Sequence, residues 1–155
     1  MVSTAHAAAT VMDAPASAAF ELLRDPAMHR HFDGSAVVGE PTTAEILSGV
    51  GQVFTMNMTY IDGDTVEHYL SDNILTMFDL NRTIAWTTAV HGGSPLGWTW
   101  RYDLAPTGDG TQVRLTYDWS DAPAATIRRF GVPLVGPDRL AESLRLLAAL
   151  CASAQ

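Results

Sequence analysis

The stretch WTWRYDLAPTGDGTQVRLTYDWS, Trp98 to Ser120, decides how the chain is read. Trp98, Trp100, Tyr102 and Leu104 alternate with Thr99, Arg101 and Asp103. After Thr107-Gly108-Asp109-Gly110 the alternation resumes, with Val113, Leu115, Tyr117 and Trp119 set against Arg114, Thr116 and Asp118. A period of two puts one set on each face of a strand. The Gly-Asp-Gly link is a tight turn between antiparallel strands. One face of this hairpin is aromatic and needs a cover.

The same pattern extends upstream. Gln52 to Tyr60 carries Phe54, Met56, Met58 and Tyr60 on one face and Thr55, Asn57 and Thr59 on the other. Asp62-Gly63-Asp64 reads as a turn into a long strand, Thr65 to Phe78, whose apolar parity slips near Asn73, as at a bulge. Asp79 to Arg82 turns the chain into a strand over Thr83 to His91, and Gly92 to Gly97 is a loop. Ser35 to Gly39 and the alanine-rich Ala5 to Met12 are two further strands. Between those two, Pro15 opens a helix with an apolar stripe of Ala16, Ala19, Phe20 and Leu23, and Met28 to Phe32 forms a second short helix.

Downstream, residues 121–136 read as a long connection with two prolines. Pro137 and Asp138 then open a final helix with a stripe of Leu140, Leu144, Leu147, Ala148 and Cys151. The order is one strand, two short helices, six strands and a long helix. It predicts an α+β fold in which an antiparallel meander of about seven strands is covered by the C-terminal helix. At 155 residues the chain fits a single domain over 1–155 with a core large enough to hold a cavity.

Composition removes several functions. The net charge is −8, which argues against nucleic acid or an anionic membrane as the main partner. All nine cationic side chains are arginine, so neither Schiff-base chemistry nor a Walker lysine is available. The one cysteine, Cys151, lies in the leucine stripe and reads as core. No apolar run reaches the roughly 20 residues of a membrane helix. Val2 to Thr10 lacks the basic flank of a signal peptide, so a cytoplasmic location is the expectation.

Particular motifs now carry a resemblance. Ala14-Pro15, Phe20, Asp25-Pro26 and Asp33-Gly34-Ser35 in the opening third resemble bacterial members of the START-like, or SRPBCC, superfamily. NRTIAW (Asn81 to Trp86), WTWRYDLAP (Trp98 to Pro106) and TYDWS (Thr116 to Ser120) extend the likeness over nearly the whole chain, closest to the polyketide cyclase/dehydrase-like family. The resemblance implies a helix-grip fold, a curved sheet wrapped around the C-terminal helix with a hydrophobic cavity between them. It also implies binding of a lipid, sterol or polyketide, with cyclisation or dehydration in some members. The histidine and carboxylate ligands of the superfamily's metal-centred oxygenases have no match, so no cofactor and no metal are expected.

The candidate ligand-binding residues are Phe54, Met56, Met58, Tyr60, Trp86, Thr88, Trp98, Trp100, Trp119 and Phe130. Methionine, Trp and Tyr suit an irregular lined space better than a tightly filled core. His68 shares its parity with Val66 and Leu70, so it is expected to face inward and to move a proton. Tyr102 and Tyr117 are expected to steady a carbonyl or enolate. His29 and His31, two residues apart, fall on different helix faces and do not make a metal pair. His6 and His91 are expected at the surface. The reading is a cofactor-independent enzyme acting on an apolar carbonyl compound. A non-catalytic carrier or sensor and a stress or protein-interaction role stay open, as does the choice between monomer and homodimer.

Overall fold

Seven strands form one curled antiparallel sheet in a computed structural model that describes residues 2–153. They are β1 (Ala5–Met12), β2 (Val38–Pro41), β3 (Val53–Asp62), β4 (Thr65–Asp79), β5 (Thr83–Val90), β6 (Pro95–Pro106) and β7 (Thr111–Asp118). Their spatial order is β1-β7-β6-β5-β4-β3-β2, so the meander runs unbroken from β2 to β7 and β1 closes onto β7. α1 (Ala16–Leu23) and a 3-10 turn (Pro26–His31) lie between β1 and β2, and α3 (Pro137–Ser153) ends the described chain. The α+β helix-grip architecture read from the sequence is the one observed.

The Trp98–Ser120 hairpin pairs in the register its alternation demands. Trp100 lies opposite Tyr117, Tyr102 opposite Leu115 and Leu104 opposite Val113. These residues share the inner face, where Tyr102, Leu104, Val113, Leu115 and Tyr117 are buried. α3 buries Leu140, Ser143, Leu144, Leu147 and Cys151 and packs on β1, β7 and α1. It therefore covers the β1–β7 side of the concave face. The 3-10 turn packs against β2 at the other side.

Two expectations need correcting. Residues 121–136 are more than a connection, because Ala124–Phe130 forms a helix, α2, entered at Pro123 and closed by Gly131 at φ +70°. None of its residues is fully buried, so it carried no apolar stripe to reveal it. The second correction concerns β4. Its register shifts between Leu75 and Met77, a bulge two residues beyond the expected slip. Upstream of it the buried positions are Ser71, Asn73 and Leu75. The inner parity is therefore odd, and Val66, His68 and Leu70 point outward. The apolar Val66 misled because it lies exposed near the hairpin tip.

Candidate functional site

The concave face of β3 to β6 is built from strand residues of one parity. Phe54 and Met56 are buried, Met58 is half-buried, and Tyr60, further along the same face, is 50% exposed at the rim. Trp86 and Trp98 are buried, whereas Thr88 and Trp100 are half-buried. Many of the rings touch one another. Trp100 stacks on Tyr117 at 4.1 Å, Trp98 meets Phe130 of α2 edge-on at 5.9 Å, and Tyr117 lies 5.2 Å from Trp119.

A polar cluster interrupts this face. Register places Ser71 opposite Met56, and Asn73 opposite both Phe54 and Thr88. Thr88 Oγ1 donates to Asn73 Oδ1 at 3.0 Å. Asn73 Nδ2 donates to the Phe54 carbonyl at 3.4 Å and to Ser71 Oγ at 3.5 Å. Both contacts from Nδ2 are long, at the weak end of hydrogen bonding. Ser71 Oγ accepts in this chain, so its own O–H remains free to donate. Ser71 and Asn73 are nevertheless buried. Sequence reasoning named Thr88 but missed its two partners, because it assigned the face by apolarity and these positions are polar.

His68, expected inside, is exposed on the outer face, where its Nδ1 lies 3.1 Å from Thr59 Oγ1. Register pairs the two residues directly. Tyr69, on the inner parity, takes the position assigned to His68. Burial raises the Tyr69 pKa, and the nearby Asp33 carboxylate adds to the rise.

The buried histidine is His29. It sits on the 3-10 turn, only 6% exposed, with Nε2 at 2.7 Å from the Leu23 carbonyl oxygen. Its ring stacks on Trp86 at 5.1 Å and 21°, and it meets Phe54 edge-on at 5.5 Å and Phe32 at 5.4 Å. Burial pulls its pKa down to about 4, against smaller upward contributions from the Leu23 carbonyl, Asp25 and Asp33. It is therefore neutral at pH 7. The missed signal is a three-residue period. Pro26, His29 and Phe32 are all buried, which is the repeat of a 3-10 turn and not that of an α-helix.

Tyr102 is also buried, 6.0 Å from Trp86 and 6.4 Å from Phe32, and burial drives its pKa well above the ordinary value, with Asp33 adding to the rise. Tyr117 is sealed in the core, and its hydroxyl oxygen accepts from the Leu134 N–H at 3.1 Å. His6, expected at the surface, is half-buried and lies 4.8 Å from Trp119. A hollow of about 550 Å³ opens there, bordered by His6, Trp119, Ile127 and Val132 among others. His91 is exposed, as expected, and its Nδ1 lies 2.8 Å from Asp72 Oδ1 on the outer face. Among the described residues, no group of three or more His, Cys, Asp or Glu is placed to hold a metal ion, and no helix is long and apolar enough to cross a membrane.

The family model described as Activator of Hsp90 ATPase homolog 1-like protein matches residues 13–148, nearly the whole described fold. The chain belongs to this AHSA1 family. Its architecture is the START/SRPBCC-type fold that the sequence motifs resemble. Solved structures agree on that fold. Protein Ms6760 from Mycobacterium smegmatis superposes with a TM-score of 0.70 at 17% identity, covering 98% of this chain and 93% of its own. Protein NE0264 from Nitrosomonas europaea gives 0.69 at 14% identity, with 98% and 96% covered. The solution structure of KanY protein (ms6282) gives 0.64 at 17% identity, with 98% and 99% covered. At such identities these likenesses show a common fold alone. No curated protein matches the chain in sequence.

Proposed function

We propose that the concave face of β3 to β6 binds an apolar small molecule that carries a carbonyl group, and that the protein acts on it as a cofactor-independent cyclase, dehydratase or isomerase of polyketide-like compounds. The observation that carries the binding reading is the Ser71–Asn73–Thr88 cluster. Three polar side chains, with the Asn73 amide nitrogen held only by long contacts, lie on a face otherwise made of Phe54, Met56, Met58 and Trp86. A few placed polar groups in an apolar lining are the usual composition of a small-molecule site. The free Ser71 O–H donates to the ligand carbonyl, and Trp98, Trp100, Trp119 and Phe130 provide the wall toward α2. For the chemical step, Tyr102 replaces His68 as the group nearest the substrate, since His68 lies on the far face. If the molecule is bound but never converted, the protein is a carrier or sensor.

The test uses N-phenyl-1-naphthylamine as an apolar fluorescent probe and methyl NMR of the methionines. Binding with micromolar affinity, with shifts at Met56 and Met58 and a weaker complex in Ser71→Val, supports the site. Probe binding that leaves both methyls unmoved, or no binding at all, overturns it. Turnover is then sought among ligands that the purified protein retains, identified by mass spectrometry.

A protein-interaction role is the second reading. It is favoured by the outer face of the β3–β4 hairpin tip, where the cross-strand neighbours Ile61 and Val66 are both exposed. Exposed apolar residues clustered in this way commonly mark a contact surface. Ile61→Ser with Val66→Ser would then abolish partner capture and leave probe binding intact.

A further inference from the structure

Two buried polar atoms have no role in the fold. The first is Nδ1 of His29. A carbonyl oxygen only accepts, so the 2.7 Å contact with Leu23 fixes the hydrogen on Nε2. In the neutral ring Nδ1 is then a bare acceptor, and it has no partner among the described residues. The second is the hydroxyl of Tyr102, a residue 5% exposed, which likewise has no hydrogen-bond partner among them. Among the described residues, no fully sealed side-chain nitrogen or oxygen lacks a partner. Each of these two atoms must therefore border open space and not packed carbon.

The two rings share a setting. Both flank Trp86, His29 at 5.1 Å and Tyr102 at 6.0 Å, and both border Phe32. One offers only an acceptor, and the other offers a donor. The chemical group that answers both is a hydroxyl, which gives one hydrogen and accepts another. A carboxylate is disfavoured, because it cannot donate to Nδ1 and because the Asp33 carboxylate already acts on both residues.

We propose that His29 Nδ1 and the Tyr102 hydroxyl together hold a hydroxyl of the bound molecule, so that the site selects apolar ligands bearing a neutral phenolic or enolic O–H. This rests on the reading that the concave face binds an apolar molecule. It adds a selective contact at Trp86, apart from the Ser71 cluster, and it fits a ligand that carries both a carbonyl and an enol. His29 here is a binding residue, since no proton leaves the ligand.

The experiment compares naphthalene, 2-naphthol and 2-methoxynaphthalene by titration calorimetry against the full chain. The methoxy compound accepts a hydrogen bond but cannot donate one. The expected result is that 2-naphthol binds about tenfold more tightly than either, the scale of one well-made hydrogen bond. His29→Leu and Tyr102→Phe should each cut that advantage, read as the ratio of 2-naphthol to naphthalene affinity in the same variant, to within about twofold. Nitrogen-15 NMR of the wild-type histidines gives a readout without a variant, in which Nδ1 of His29 shifts with 2-naphthol and not with the methoxy compound. Equal affinities for all three compounds in the wild type, or an advantage that survives both substitutions, overturns the inference while naphthalene binding leaves the broader reading standing. Failure of every compound to bind overturns both.

Discussion

Gly34 and Ser143 are 109 residues apart, and the Gly34 N–H donates to Ser143 Oγ at 2.8 Å. Arg139 Nη1 donates to the Gly34 carbonyl at 3.0 Å, so both backbone groups of this glycine are held by α3. A Cβ at residue 34 would collide with the Arg139 carbonyl. Gly34→Ala should therefore destabilise the protein by about 3 kcal/mol, combining forced displacement of packed backbone with weakened hydrogen bonds. At this chain length that corresponds to a fall of roughly 10 °C in Tm. Ser143→Ala, which leaves a buried N–H unpaired, should cost about 1–2 kcal/mol. Thermal and urea unfolding measure both.

His29 sets an acid limit on stability. Its pKa is about 4 in the fold, against 6.5 in the unfolded chain. Between those values the unfolded state binds a proton that the folded state refuses. Stability is therefore whole above pH 6.5, falls as pH drops toward 4, and loses no more from this group below that. The total is roughly 3 kcal/mol. His29→Leu should remove this part of the pH dependence, so that wild-type and variant denaturation midpoints diverge between pH 7 and 4. Parallel curves would contradict it.

His68→Ala should be nearly silent. The side chain is exposed and its one hydrogen bond, to Thr59, is at the surface. A change within about 0.5 kcal/mol in stability is expected. Probe affinity should stay within twofold, and any turnover found should survive.

Asp72 fastens the β5–β6 loop. Its Oδ1 takes Thr55 Oγ1 at 2.7 Å and His91 Nδ1 at 2.8 Å, and its Oδ2 takes the Gly92 N–H at 2.8 Å. Desolvation pushes its pKa up, but the bonds from His91, Gly92 and Thr55 together bring it below the usual value. Asp72→Ala should speed amide exchange at Gly92 about tenfold, the scale of one lost charged hydrogen bond. Exchange in β1 should not change.

Legibility in the sequence followed alternation. β7 and the start of α3 could be read closely, because each has a clean period and a sharp Gly or Pro boundary, while the alanine-rich β1 was marked mainly by the Asp13-Ala14-Pro15 break after it. The face of β4 could not. Its inner residues Ser71 and Asn73 are polar and its outer Val66 is apolar, the reverse of what parity arguments assume, and the bulge after Leu75 detached it from the better-marked Phe78. That inversion hid the polar cluster and misplaced His68. His29 was hidden differently. Phe32 is its neighbour in the 3-10 period, but Trp86 of β5 and Phe54 of β3 come from distant segments that no local spacing brings to it.

The pairing of β1 with β7 governs how the chain reaches its fold. Ala5 lies opposite Asp118, so β1 has no partner until every other strand of the sheet has followed it. α3, which also packs on β1, comes later still. Contacts of such long sequence separation are slow to form, and an unpaired strand is open to wrong partners while it waits. The composition of β1, AHAAATVM, meets that hazard. Four of its eight residues are alanine, which makes it a weak strand former and a poor template for aggregation. A strand too weak to pair indiscriminately can wait for the one neighbour that, with α3 behind it, makes the pairing favourable.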